Sequence, residues 1–466
     1  MDKEYGLRLN RQAFLQSVGI LFVLLLLAGG LTLLFPPGEF DRVLKEGVAS
    51  VVPGTYHLMP GAEALPLWRW FTAPVEVLWS ADGTLTIVIL LFILLVGGAF
   101  AVFDASGLFQ SLIDAFLRRW GNQRDAVIVV FATAFMLLGS IFGILEEVVP
   151  LIPVVVLVAL KLGWDRNMGL GLILLPVGFG FSAALFNPFT IGVAQKLAGV
   201  PLFSGLDYRF LIFLVTEAVL LVFLLRYRRK LERAPGWIAP VPEVVQSPDT
   251  RGQLALAIGF GLLLVLMMVF PVIGLSDLSL PVIALGFLVL AFVTALRRGL
   301  KVGFVGKVFV GGMGGVAPGL VLILLAMGIK HIIATSHVMD TLLFRTAGLL
   351  EGQGPLPAAG AMYLVVFFLQ FFIPSATAKA FLVMPLLTPL GDLVGVTRQT
   401  VVLAFNFGDG FSHLLYPTNP LLLIALSLAN VGLGKWLKWT IGLQAILFVL
   451  TFVFLMLAAA FRYGPV

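Results

Sequence analysis

The chain has 466 residues, 60% of them hydrophobic and only 12% charged, with a mean hydropathy of +1.07 and a formal net charge of +6. An ordinary soluble domain carries roughly 25% charged residues, so this composition excludes a soluble fold and predicts an all-α polytopic membrane protein, the helix being the element that satisfies its own backbone in hydrocarbon. The basic residues sit in short loops between apolar runs, where they report orientation rather than nucleic-acid binding, and the absence of Cys rules out disulfides, thiolate metal sites and cysteine nucleophiles.

Residues 1–12 carry Lys3, Arg8 and Arg11, and an apolar run follows over 18–35. Phe35-Pro36-Pro37 offers no small-residue cleavage site, so the run is expected to stay as a first span. Residues 36–83 read as a loop with interfacial Trp68, Trp70 and Trp79, and the second span is predicted over 84–103. A less apolar stretch, 104–122, ends in Arg118-Arg119-Trp120 and reads as a surface helix.

Residues 126–162 are apolar on both sides of Glu146-Glu147 and Pro150. A broken span over 168–200 and a full span over 208–226 follow, the latter ending in Arg226, Arg228, Arg229, Lys230 and Arg233. Residues 234–250, rich in Pro, read as a cytoplasmic linker. Spans are then predicted at 252–270, 281–296 and 316–334, with Arg297, Arg298, Lys301 and Lys307 in a loop between the last two, and a surface stretch at 335–352. Residues 357–391 are apolar around Pro374-Ser-Ala-Thr-Ala-Lys379. A broken span at 398–430, Lys435 and Lys438 in a loop, and a last span at 440–460 complete the chain.

All four basic clusters fall on one side only if 126–162 and 357–391 are re-entrant hairpins. That places the N-terminus in the cytoplasm and the C-terminus outside the cytoplasmic (inner) membrane. The halves also align at an offset of 230: Gly180-Phe181-Ser182 on Gly410-Phe411-Ser412, Phe142 on Phe372, Glu147 on Thr377 and, after two extra residues, Asn187-Pro188 on Asn419-Pro420. The expected surface helices lie on opposite sides, so the halves read as inverted repeats. The predicted organisation is a first span and outer loop (1–83), a first repeat (84–226), a linker (227–251), and a second repeat with one extra span (252–461).

Paired helix breaks in matching positions of two halves point to the binding site of a secondary transporter, because unwound backbone at membrane depth survives only where protein or ligand meets it. The first hairpin tip carries Glu146 and Glu147. Each carboxylate costs roughly 2.5–3.5 kcal/mol on insertion scales, so the pair reads as a cation or proton site, as a contact for a substrate ammonium, or as an acid-capped helix start. The first break holds Ser182, Asn187, Pro188 and Thr190, and the side-chain oxygens of Asn187 and Thr190 suit Na⁺; a packing kink is the other reading. The second tip is Ser375-Ala-Thr377-Ala-Lys379, with N–H groups suited to an anion. Lys379 is expected to pair with Asp409, either structurally or as part of a substrate contact. The second break adds Ser412, His413, Thr418 and Asn419, with His413 either a proton carrier or a hydrogen-bonding residue, and Asn419 a third candidate Na⁺ ligand. No cofactor is expected beyond the coupling ion, Na⁺ or H⁺.

Gly143-Ile-Leu-Glu146-Glu147-Val-Val-Pro150, Asn187-Pro188-Phe189-Thr190-Ile-Gly192 and the run from Thr397 through Asp409 to Phe411 resemble the DcuC/YfcC-like carriers of the ion-transporter superfamily, over nearly the whole chain. That family includes C4-dicarboxylate carriers and basic amino-acid antiporters. The resemblance implies a homodimer with a scaffold and a mobile transport domain, the latter holding both hairpins and both broken helices and moving as an elevator coupled to Na⁺ or H⁺. Where the family has a Gly-rich second tip ending in Gln, this chain has Lys379, and it places His413 in the second break.

The resulting expectation is a secondary active transporter for a small charged metabolite, an amino acid and basic ones included, by symport or exchange. A dicarboxylate or short-chain carboxylate is the alternative substrate, and an ion channel the alternative class. With no HExxH, GxSxG or phosphate-cradling loop, an enzyme is not expected.

Overall fold

The computed structural model describes residues 11–45, 48–59, 65–107, 113–114, 116–117, 119–235, 237, 250–272, 276–348 and 352–464. Lys3, Arg8, Arg118 and, of the expected linker, residues 236 and 238–249 lie outside the described residues.

Helix α1 (Arg11–Leu34) leads into two antiparallel strand pairs, β1 (Gly38–Glu39) with β4 (His57–Leu58) and β2 (Arg42–Lys45) with β3 (Val48–Val51). Next come α2 (Leu67–Glu76), α3 (Gly83–Ser106) and α4 (Arg124–Leu137), which ends in a wide π turn, Leu138–Phe142. Helix α5 (Ile152–Lys161) precedes α6 (Arg166–Ser182), a second π turn (Pro188–Gly192), α7 (Val193–Ala198) and α8 (Leu206–Glu232). The rest is helical: α9 (Thr250–Val272), α10 (Ser276–Arg297), α11 (Val302–Val316), α12 (Pro318–Thr335), α13 (Val338–Gly348), α14 (Pro355–Leu369), α15 (Ala376–Val394) and α16 (Arg398–Asp409). After a 3-10 turn (Phe411–Leu414) come α17 (Pro420–Ala429) and α18 (Leu433–Ala460).

Among the described residues, eight helical segments are long and apolar enough to cross a bilayer: Phe14–Leu34, Gly83–Ser106, Arg124–Phe142, Leu206–Glu232, Leu280–Arg297, Pro318–Thr335, Ala376–Val394 and Leu433–Ala460. Their outward faces carry large exposed apolar side chains, such as Leu27, Val222, Val289 and Val449, as a lipid-facing surface requires. The molecule is a multi-pass membrane protein.

Two packing groups organise the chain. In the first, α3 lies against α10 and α11, while α12 lies against α1 and α2. Small residues make the α3–α11 approach close, with Gly312 against the Gly97 carbonyl and Ala101. In the second, α6 is flanked by α4 and α5, and α16 by α14 and α15. The short helix of each broken element packs on the other half: α7 touches α15, and α17 touches α5. Residues 167–182 of α6, 399–409 of α16 and all of α17 are buried. These helices are buried on every face, as the centre of a bundle demands.

Two stretches expected as loops are ordered. Residues 36–83 contain the four strands and α2, which starts after Pro66 and lays Trp70 over Gly29 of α1. Residues 302–316, expected as part of a basic loop, form α11; six glycines lower its helix propensity, and packing on α3 outweighs that cost. Lys435 and Lys438 likewise belong to the first turns of α18, not to a loop. Lys330 and His331 of α12 meet Asp82 (2.7 Å) and Glu76 (3.6 Å), and Thr133 of α4 donates to Glu217 (2.6 Å), so these membrane-depth polar residues pair between helices.

Candidate functional site

The breaks in the two crossing elements lie where their caps place them. In the first, α6 stops at Ser182, and Asn187 restarts the chain: its Oδ1 accepts the N–H groups of Phe189 (2.9 Å) and Thr190 (3.2 Å). Pro188, directly after the cap, needs no N–H there. In the second, Asn419 Oδ1 accepts from Leu421 N (3.0 Å) ahead of Pro420. The repeated Asn-Pro pair is therefore a repeated N-cap. Of the three expected Na⁺ ligands, the amide oxygens of Asn187 and Asn419 are engaged by backbone N–H groups, whereas Thr190 Oγ1, like Ser182 Oγ, is buried and partnerless.

The crossings touch at the two Gly-Phe-Ser motifs. A Cβ on Gly410 would overlap the Ser182 backbone and Oγ, and one on Gly180 would collide with the Met136 carbonyl and Ser140 amide of the first hairpin segment. Only glycine lets these backbones approach. Asn406 Nδ2 donates to the Ser182 carbonyl (2.7 Å), tying α16 to the end of α6.

The second hairpin segment joins both breaks. Thr377 Oγ1 donates to Phe189 O (3.3 Å), and Thr418 Oγ1 donates to Phe371 O (2.5 Å). Ser375, exposed at the tip, caps α15 by accepting from Ala378 N (3.3 Å). Lys379 does pair with Asp409: Nζ lies 2.7 Å from Oδ1, both side chains are 0% exposed, and Nζ also bonds the Gln370 amide oxygen.

A polar chain continues from there. Asp409 Oδ2 faces His413 Nε2 at 3.4 Å, and neither atom has a hydrogen-bonding geometry to any partner. Asn419 Nδ2 donates to His413 O (3.1 Å) and lies 2.9 Å from Nδ1. With Asn419 Oδ1 fixed by its cap, Nδ1 is the accepting nitrogen and Nε2 carries the ring proton. Ser412 Oγ sits 2.8 Å from the carbonyls of Gly408 and Asp409, so it is bonded back to its own helix.

The acid pair is split. Glu147 is buried, and its Oε2 accepts from Leu145 N (3.2 Å). Glu146, its neighbour, is exposed. Two cavities of about 500 Å³ lie elsewhere, one beneath β3 beside Arg398 and one beside Arg228 and Glu232, and neither is lined by these residues.

Four residues of this centre escape sequence reading. Ser140 donates to Ala183 O (2.7 Å) and receives Leu185 N (3.0 Å), so it satisfies the opened backbone of the first break. Asn406 and Arg209 do comparable work, Arg209 donating to Ala184 O (3.3 Å) and Phe203 O (2.9 Å), whereas Gln370 holds the Lys379 ammonium. For two of them a signal existed, since Ser140 and Gln370 stand at the same offset of 230 as the motifs.

The C4-dicarboxylate anaerobic carrier family profile matches residues 14–460. The chain is 31% identical over 405 residues to the Escherichia coli protein described as "Putative basic amino acid antiporter YfcC", covering 82% of this chain and 79% of that one. An uncharacterised protein of Haemophilus influenzae is 25% identical over 371 residues, 77% of this chain and 73% of that one. Among solved structures, the Alcanivorax borkumensis YdaH transporter aligns with 97% of this chain and 100% of its own at 19% identity and a TM-score of 0.45. The chain belongs to the DcuC/YfcC-like family of membrane carriers.

Proposed function

We propose that the protein is a secondary active transporter for amino acids, basic ones included, in the cytoplasmic membrane. The observation that carries this reading is the state of the charges at the centre. Lys379 is spent on Asp409, while Glu146 remains an exposed carboxylate. The free charge offered to a ligand is therefore negative, which suits an ammonium or guanidinium group. The exposed start of α15 at Ser375 offers N–H groups to the ligand's carboxylate. A dicarboxylate would find no uncommitted cation among the described residues here. The printed name of the YfcC relative favours the same choice.

In this reading 126–162 and 357–391 are re-entrant hairpins, and the two halves are inverted repeats. The packing supports it: α10 and α11 lie on α3 as α1 and α2 lie on α12, and each short helix docks on the opposite hairpin. The second packing group moves against the first as an elevator in a homodimer, with the N-terminus cytoplasmic and the C-terminus outside. Movement is coupled to Na⁺ or H⁺ or to exchange. Where a cation binds, Thr190 and Ser182 hold the unclaimed oxygens.

Proteoliposomes loaded with arginine or lysine test the assignment. Labelled arginine is expected to enter by saturable, stereospecific counterflow, which a channel does not give, without competition from succinate. Glu146→Gln and Glu147→Gln are each expected to lower uptake at least about tenfold, a loss of roughly 1.4 kcal/mol. Counterflow driven by succinate and not by any amino acid would sink this reading.

A further inference from the structure

The second centre gathers its oxygens around a charge that belongs to the protein. Lys379 Nζ bonds Asp409 Oδ1 at 2.7 Å and also bonds Gln370 Oε1. The three side chains come from the end of α14, the start of α15 and the end of α16, and none is more than 1% exposed. A carboxylate and an amide carbonyl converging on one positive charge is the donor set of a small hard cation. An ammonium satisfies it equally, as a compact point charge with three donors. The first half has no counterpart to this ammonium: the position 230 residues before Lys379 is Val149, and the hydroxyls of Thr190 and Ser182 stand buried without partners, whereas in the second half the unpartnered Asp409 Oδ2 faces His413 Nε2 at 3.4 Å.

We propose that Lys379 is a tethered substitute for a coupling cation. Its ammonium fills the oxygen set of Gln370 and Asp409, so the second centre takes no Na⁺, and any Na⁺ bound by the protein is held by the first half. A free ion leaves at each turnover, whereas a tethered one stays. The second centre therefore keeps a constant charge through the cycle, and coupling is confined to the side of Glu146, Glu147 and Thr190. The proposal draws its meaning from the transporter reading, but Na⁺ binding to purified protein can be read whether or not any substrate is carried.

Thermal unfolding of detergent-purified protein, in matched series of NaCl and choline chloride, is the test. Lys379→Ala leaves Asp409 and Gln370 as an unfilled oxygen pair. It is expected to be less stable than wild type in choline and to recover with NaCl by at least about 2 °C more than wild type over the same range. Adding Asp409→Asn should remove that increment. Lys379→Gln, which keeps a donor for Asp409, should behave like Lys379→Ala and serves where the alanine variant cannot be purified. In the Lys379 background, Asp409→Asn should leave the wild-type response to Na⁺ unchanged. Wild-type protein in equilibrium dialysis with labelled Na⁺ should bind at most one ion per chain. No increment in either Lys379 variant, loss of a wild-type Na⁺ response in Asp409→Asn, or more than one Na⁺ per wild-type chain would each overturn the proposal. Failure of arginine uptake in vesicles would leave all of these measurements readable.

Discussion

The two polar centres share one plan and differ in chemistry. Each has a break restarted by an Asn-Pro cap, a glycine that admits a neighbouring backbone, and a polar residue on the adjoining hairpin segment, Ser140 in one half and Gln370 in the other. In the second half the ammonium and the hydroxyls of Ser412 and Thr418 are engaged, and the buried atoms without a partner at this centre are Gln370 Nε2, Asn406 Oδ1, Asp409 Oδ2 and His413 Nε2. Lys379 is spent on Asp409 and Gln370, Ser412 on its own helix, Thr418 on Phe371 and Asn419 on His413. In the first half Glu146 is accessible and the hydroxyls of Ser182 and Thr190 are unclaimed. A repeated sequence thus reproduces the backbone solution, while the side chains added to each copy decide which half is open to a ligand.

The largest effect should come from breaking the closed half. Asp409→Ala strands the buried Lys379 ammonium, and removal of one partner of a buried pair costs about 3–5 kcal/mol. Thermal unfolding should detect this as a severe loss. A loss under about 1 kcal/mol would mean that Lys379 reaches water, and that the second centre is as open as the first.

The next effect tests the shared plan. A Cβ at Gly410 or Gly180 would overlap backbone atoms, of Ser182 in one case and of Met136 and Ser140 in the other. Overpacking of this kind costs about 1–3 kcal/mol. Gly410→Ala and Gly180→Ala should therefore destabilise to a similar degree, as read by thermal unfolding. A tolerant Gly180 beside an intolerant Gly410 would show that only one crossing is tight.

Much of this was legible in the sequence because charge and Pro/Gly punctuation are rare at membrane depth. The Lys379–Asp409 pair, both breaks and the helical pairs around residues 146 and 375 follow from that rarity. The role of Asn187 and Asn419 was not legible, because an amide before Pro fits an ion ligand and a helix cap equally well until its N–H partners are seen. Ser140, Gln370 and Asn406 were hidden as single neutral residues in apolar runs. Helix α11 was missed because Lys301 and Lys307 read as part of a basic loop, when what decides is the close packing of its Gly312 against Gly97 and Ala101. Local pattern finds what is costly in lipid and misses what is made favourable only by a distant neighbour.

The smallest effect is the most discriminating, because it compares one residue type at two equivalent positions. Ser412 Oγ lies 2.8 Å from two carbonyls of its own turn, whereas Ser182 Oγ, packed on Gly410, has no partner. Ser412→Ala removes a back-bonded hydroxyl, which contributes under about 1 kcal/mol. Ser182→Ala removes a buried donor that nothing accepts, so the ligand-free protein should be at least as stable as wild type by thermal unfolding. Adding Na⁺ or substrate should then separate the two. Ser182→Ala is expected to lose part of whatever stabilisation the ligand gives wild type, and Ser412→Ala to keep it. A Ser182→Ala variant already destabilised without ligand would mean that its hydroxyl is structurally spent. The two halves would then be alike where Gly410 meets Ser182.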